Sequence, residues 1–209
     1  MNRYLGIVNY NDDISNCNFI EEMHINLKKR FSISECINMF KTKHINLSNG
    51  FFSKSFDKNK YCIMHTGKIY NIKDIKNKLI KLGYCFNTKT NLRKSKVIPE
   101  EYLDTYLDAE ILLSCYNEYK EKFLELLDGV FAICIYDKIN DTIFLAKDRI
   151  GVKPLYYMKN DNNFIFSTNI KDILCIPNIE AKIDKQSALE LIALRPCTYT
   201  RNYIFQRYF

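Results

Sequence analysis

The chain has no tryptophan, and only six glycines, four prolines and three histidines among its 209 residues. So little glycine and proline excludes collagen-like repeats and low-complexity linkers. No apolar run approaches the ~18–20 residues that crossing a bilayer requires, so no membrane partner is expected. The opening residues Met1-Asn2-Arg3-Tyr4 carry no apolar targeting segment, and a cytoplasmic location is the expectation. Neither G-x-G-x-x-G nor G-x-x-x-x-G-K-[ST] occurs, so there is no glycine-rich cradle for a phosphate and no cofactor is expected. No C-x-x-C pair accompanies the three histidines His24, His44 and His65, and a metal site is not expected.

What is present is ordinary for a globular protein: 47% hydrophobic and 26% charged residues, enough apolar surface to offset chain entropy. The length admits one large domain or two small ones. A net charge of +7 arises from 31 Lys+Arg against 24 Asp+Glu. The excess is scattered, and the clusters Lys28-Lys29-Arg30 and Arg93-Lys94-Ser95-Lys96 sit in no nucleic-acid motif, so no nucleic-acid partner is expected. The eight cysteines are Cys17, Cys36, Cys62, Cys85, Cys115, Cys134, Cys175 and Cys197. Most lie among apolar neighbours, as Cys134 does in Ala132-Ile133-Cys134-Ile135, and they read as free core thiols.

Periodicity gives a coarse map. Strands are expected over 4–9, 40–47, 61–65 and 68–70, with a helix over 17–30. A helix follows Asn71, which reads as its N-cap, and Asp74 occupies the first turn, where the dipole favours an acid. Ile72, Ile75, Leu79 and Leu82 line one face, and Gly83 stops the helix. A short strand is expected over 84–86 and a polar insertion over 87–107. Asp108 reads as the cap of a helix running to about 127. Hairpins follow at 130–136 with 142–146 and at 155–158 with 164–167, then helices over 170–175 and 184–194. This order of strands, helices and antiparallel strands is an α+β class.

Several phrases are more specific. Ala146-Lys-Asp-Arg-Ile-Gly-Val-Lys-Pro-Leu-Tyr-Tyr157 resembles the A-R-D-R-x-G-x-K-P-L-Y-Y signature of asparagine synthetases. Leu127-Asp-Gly-Val-Phe-Ala-Ile-Cys-Ile-Tyr-Asp137 is similar to that family's L-x-G-x-F-A-F-x-x-x-D, and Phe164-Ile-Phe-Ser-Thr-Asn-Ile-Lys-Asp-Ile-Leu174 to its F-x-S-E-x-K-A-L. Thr66-Gly-Lys-Ile-Tyr-Asn71 resembles N-G-E-I-Y-N, and Asp108-Ala-Glu110 resembles D-T-E. The matches come in the family's order over roughly residues 1–10 and 61–205, whereas 11–60 match poorly. The resemblance implies a class II glutamine amidotransferase domain over 1–194, an αββα Ntn-hydrolase-like sandwich of two antiparallel sheets between helix layers. Residues 195–209 would then begin a linker toward a synthetase domain.

In that family the domain hydrolyses glutamine with an N-terminal cysteine, whose free amine serves as base. Aligned on Gly6-Ile7, Asn2 stands where the cysteine belongs, and a carboxamide is no nucleophile. The oxyanion hole of N-G-E becomes Thr66-Gly67-Lys68: the glycine N–H survives, the amide donor does not, and loss of one such donor typically costs ~10²–10³ in rate. Lys68 also reverses the charge near the substrate's ammonium. R-G-P-D has no convincing equivalent, and the arginine for the glutamine carboxylate corresponds at best to Lys43 or His44. Asp108 occupies the position that holds the glutamine amine. With Gly67 and Lys68 it forms the remnant of a substrate site, although a plain helix cap explains Asp108 as well. Asp148 and Arg149 are expected as a buried structural ion pair, with Gly151 and Pro154 shaping the turn beyond.

The expectation is therefore a degenerate, inactive glutaminase-like domain that supports an ATP-pyrophosphatase synthetase or cyclase domain or subunit, binding glutamine at most weakly. Two alternatives stand beside it: a non-enzymatic scaffold for a separate partner, and an active glutamine-hydrolysing domain of an asparagine synthetase.

Overall fold

The computed structural model describes residues 4–10, 38–42, 44–49, 54–56, 60–86, 103–174, 176, 179 and 185–193. The expected helix over 17–30 and residues Asn2, Lys43 and Asp184 lie outside these.

Among the described residues, nine strands form two antiparallel sheets. In the first, β2 (Asn38–Lys41), β3 (Ile45–Asn49), β1 (Tyr4–Asn9), β9 (Asn163–Ser167) and β8 (Tyr156–Lys159) lie in that order. In the second the order is β4 (Lys54–Phe56), β5 (Tyr61–Ile69), β6 (Gly129–Asp137) and β7 (Thr142–Lys147). The helices are α1 (Ile72–Lys81), α2 (Leu103–Tyr119), a 3-10 turn (Lys120–Leu126), α3 (Ile170–Leu174) and α4 (Lys185–Ile192).

Strand alternation sorts the core into layers. Along β5 and β6, Ile63, Ile69, Phe131, Ile133 and Ile135 pack against Leu79 of α1 and Leu112 of α2. Their neighbours Cys62, Met64, Ala132, Cys134 and Tyr136 face the other sheet, where Tyr4, Ile45, Leu47 and Phe166 meet them. On the far side, Leu5, Ile7 and Ile165 pack under Ile173 of α3. The result is helix, sheet, sheet, helix: the αββα sandwich. Fully buried side chains such as Leu79 and Leu112 each contribute about 1.5–3 kcal/mol through apolar burial. Gly6 is dictated by packing, since a Cβ there would lie 2.0 Å from the Phe166 ring.

The elements depart from the periodicity map in instructive places. The segment expected as one strand over 40–47 is a hairpin, closed where the Thr42 hydroxyl accepts from the Ile45 N–H (2.9 Å). The two pieces expected at 61–65 and 68–70 are one continuous strand, β5, because Gly67 takes φ +107° within an unbroken ladder to β6. No strand forms at 84–86. The helix expected to start at Asp108 begins five residues earlier, at Leu103. Half-buried Leu107 packs on the core and carries the helical stripe back a turn. Gly83 does end α1, at φ +92°. The Tyr84 N–H donates to Leu79 O and the Gly83 N–H to Ile80 O, the paired bonds of a Schellman stop.

Candidate functional site

Of the residues singled out by sequence, Thr66, Gly67 and Lys68 lie at one end of the β5–β6 pair. Thr66 is paired with Ala132 across the ladder. Cross-strand partners share a face, so Thr66 is buried toward the inter-sheet core that Ala132 lines. Gly67 and Lys68 are exposed. A Cβ on Gly67 would lie 2.0 Å from Val130 O, so glycine is required there on two counts, the positive φ and the close approach.

An open groove of about 490 Å³ lies over this strand end. Thr66, Gly67 and Lys68 of β5, Tyr70 just beyond it and Val130 of β6 line it from the sheet as a first wall; Val152 and Lys153 line it from the loop before β8 as a second. The second wall rests on Asp148. Its Oδ1 accepts from the N–H groups of Gly151 (2.7 Å) and Val152 (2.9 Å), and its Oδ2 accepts from Lys153 (2.9 Å). Burial alone pushes the Asp148 carboxyl up. The three backbone donors outweigh that and hold it below the usual carboxylate range. The expected buried ion pair is corrected: Asp148 is spent on this backbone cradle, and Arg149 is exposed with no ion pair to it. Gly151 adopts φ +79° inside the cradle, and half-buried Pro154 leads the chain toward β8.

Asn71 closes the other end of the first wall. Its expected capping bond is absent from α1. Instead its Nδ2 donates to Leu126 O (2.8 Å) and its Oδ1 accepts from the Asp128 N–H (3.0 Å). The Tyr70 N–H also donates to Asp128 O (2.7 Å). Asp108 lies in the interior of α2 and is half-buried, which corrects its reading as a cap. His44 is near the far end of β1, where its carbonyl accepts from the Asn9 N–H (2.9 Å). Asn9 lies five residue steps along the strand from Tyr4, about 16 Å at strand rise. His44 therefore does not sit with the start of β1.

The start of β1 is clamped by residues that sequence reasoning did not single out as functional. The Tyr4 N–H donates to Thr168 Oγ1 (3.1 Å), and the Thr168 N–H donates to Tyr4 O (3.1 Å). The single proton of the Ser167 hydroxyl has two acceptors in reach, Tyr4 O (3.1 Å) and Asp172 Oδ2 (3.0 Å). The signal was the Phe-Ser-Thr phrase at 166–168, whose polar pair follows a buried strand. His65 was also missed. Completely buried between sheet and helices, with Nδ1 unpaired, it is held neutral, its pKa lowered by burial to about 4.

Cys62, Cys115 and Cys134 are free and buried, as expected of core thiols, whereas Cys85 is free and exposed. Burial pushes the Cys115 thiol up to about 12 and the Cys134 thiol well above its ordinary value, the opposite of an activated thiolate. Among the described residues no group of three or more His, Cys, Asp or Glu is placed to hold a metal. No helix there is long and apolar enough to cross a membrane.

Comparison with known proteins places the chain in a family. Residues 54–208 match the family described as Glutamine amidotransferase domain. The chain is 32% identical over 146 residues to asparagine synthetase (glutamine-hydrolyzing) 3 of Bacillus subtilis, covering 70% of this chain and 21% of that protein. It is 35% identical over 130 residues to putative asparagine synthetase (glutamine-hydrolyzing) 2 of Methanocaldococcus jannaschii, covering 62% of this chain and 21% of the relative. The chain thus spans about a fifth of the length of these curated relatives. Among solved structures it resembles the glutamine phosphoribosylpyrophosphate amidotransferase of B. subtilis, with TM-score 0.56 and 12% identity over 87% of this chain and 45% of that one. At such identity the likeness is one of fold.

Proposed function

Since the chain belongs to the glutamine amidotransferase domain family, we propose that it is a glutaminase-like domain of an asparagine-synthetase-type, ATP-dependent amide-forming enzyme, and that it has lost glutamine hydrolysis. The domain occupies residues 1–194, with a connector beginning at 195. Its role is to support an ATP-pyrophosphatase synthetase or cyclase partner that uses an amine from elsewhere.

The observation that carries this reading is the exposed end of β5. There Thr66-Gly67-Lys68 lies in the groove on a scaffold otherwise of the family's kind. A threonine hydroxyl is shorter than the carboxamide it replaces, and Lys68 sets a positive charge where the family's triplet has a negative one. Asn2 in place of the nucleophile supports the same conclusion, as do core thiols too buried to ionise. A second reading, a non-enzymatic interaction module, draws on Ile150 and Val152, which are 89% and 58% exposed beside the groove.

The test is direct. Purified protein incubated with glutamine should release no ammonia above blank in a coupled assay, and sustained turnover overturns the proposal. Asn2→Cys alone should not restore hydrolysis, because Thr66 still leaves the oxyanion position short of a donor, a deficit of ~10²–10³ in rate.

A further inference from the structure

The groove holds two lysines, Lys68 and Lys153, one on each wall, and no acidic side chain among its lining residues. A third, Lys147, ends beside the same loop: a Cβ built on Gly151 would lie 3.1 Å from its Nζ. The acid closest in sequence to the second wall, Asp148, is buried with both oxygens engaged by backbone N–H groups, so it presents no carboxylate oxygen to the groove. Tyr70 and Val152 add apolar surface at the rim, and a volume of about 490 Å³ suits a small molecule rather than a polypeptide.

We infer that this groove binds a small dicarboxylate lacking an α-ammonium group, rather than the zwitterion glutamine. The inference rests on the reading above, that the groove is the family's substrate groove altered at Thr66-Gly67-Lys68. An amino acid brings an ammonium with its carboxylate. Opposite Lys68 and Lys153 that ammonium is repelled, while a second carboxylate is attracted. The rigid Asp148 cradle fixes the backbone from which Lys153 projects, so less ordering is needed on binding.

The probe is glutarate, which has the carbon skeleton of glutamate without its amine. In 15N-edited NMR titrations, glutarate should shift the amide signals of Gly67, Lys68 and Lys153 and bind at least about tenfold more tightly than glutamine. Lys68→Ala should weaken glutarate binding about fivefold, the scale of one partly exposed charged contact. Lys68→Glu should abolish it, and raising salt from ~0.02 to ~0.5 M should weaken it severalfold by screening. Glutamine binding as tightly as glutarate, no response to glutarate, or undiminished glutarate affinity in either Lys68 variant overturns the inference. If Lys68→Glu does not fold, judged by its thermal melt, Lys68→Ala decides. Ammonia measured in the same glutamine samples separates the two ideas. Ammonia release overturns the loss of hydrolysis, whereas silence to glutarate without ammonia overturns only the dicarboxylate.

Discussion

The two walls of the groove were put together by different constraints. The wall from Asp148 to Pro154 follows the family phrase closely, and its backbone is fastened by three hydrogen bonds to one buried carboxylate. The wall at Thr66–Lys68 sits on an equally regular ladder but departs from the family at two of three side chains. Only Gly67, the residue the backbone itself demands, is retained there. On the reading proposed above, the residues that fasten the backbone of this groove are kept, while Thr66 and Lys68 of the triplet are changed.

Breaking the fastened wall should have the largest effect. Asp148→Ala strands three backbone donors in a partly buried loop and should lower unfolding free energy by about 3–4 kcal/mol, read as a shifted denaturant midpoint. Acid probes the same region from two sides. His65 has a folded pKa of about 4, below its unfolded value near 6.5. Its contribution is full above pH ~6.5 and is lost as pH falls toward 4, up to about 3 kcal/mol. Asp148 has a depressed folded pKa, so its contribution persists above the ordinary carboxylate range and is lost only below it. Stability measured against pH should therefore fall in two stages, and His65→Gln should flatten the first alone.

Smaller effects sharpen the contrast within the altered wall. Gly67→Ala forces a Cβ against Val130 O at positive φ and should cost about 2 kcal/mol. Lys68→Ala and Arg149→Ala, at exposed positions, should leave stability within about 0.5 kcal/mol of the parent. A marked loss at Lys68 would mean that the groove residues carry the fold after all, and that the division between the walls is false.

How far the sequence discloses the molecule follows the same line. The β6–β7 hairpin was legible to within a residue, because a β-rich apolar run, a polar turn and a second run admit little else. The sandwich was legible through the family phrases. The β2–β3 hairpin was not, since Asn38–Lys41 and Ile45–Asn49 are too polar to alternate cleanly. Asn71 does stand at the N-cap of α1, but tertiary structure gave its side chain other work, whereas Asp108, a good cap by type, misled. For Asn71 that work is 55 residues away at Leu126. For Asp108, packing of Leu107 had already begun the helix upstream. The groove itself was invisible, because its second wall comes from a loop brought to β5 only by the sheet.

The Asn71 side chain has a mechanical consequence. It buckles the turn from β5 into α1 to the turn from the 3-10 segment into β6, with the Tyr70–Asp128 backbone bond as a second stitch. Neither turn can swing without carrying the other. Lys68 and Val130, both lining the groove and paired across the ladder, thus ride on a common rigid corner. With the Gly151, Val152 and Lys153 amides held by Asp148 on the other side, the groove is fixed from both directions, and in hydrogen exchange those amides should stay protected together with those of Tyr70 and Asp128.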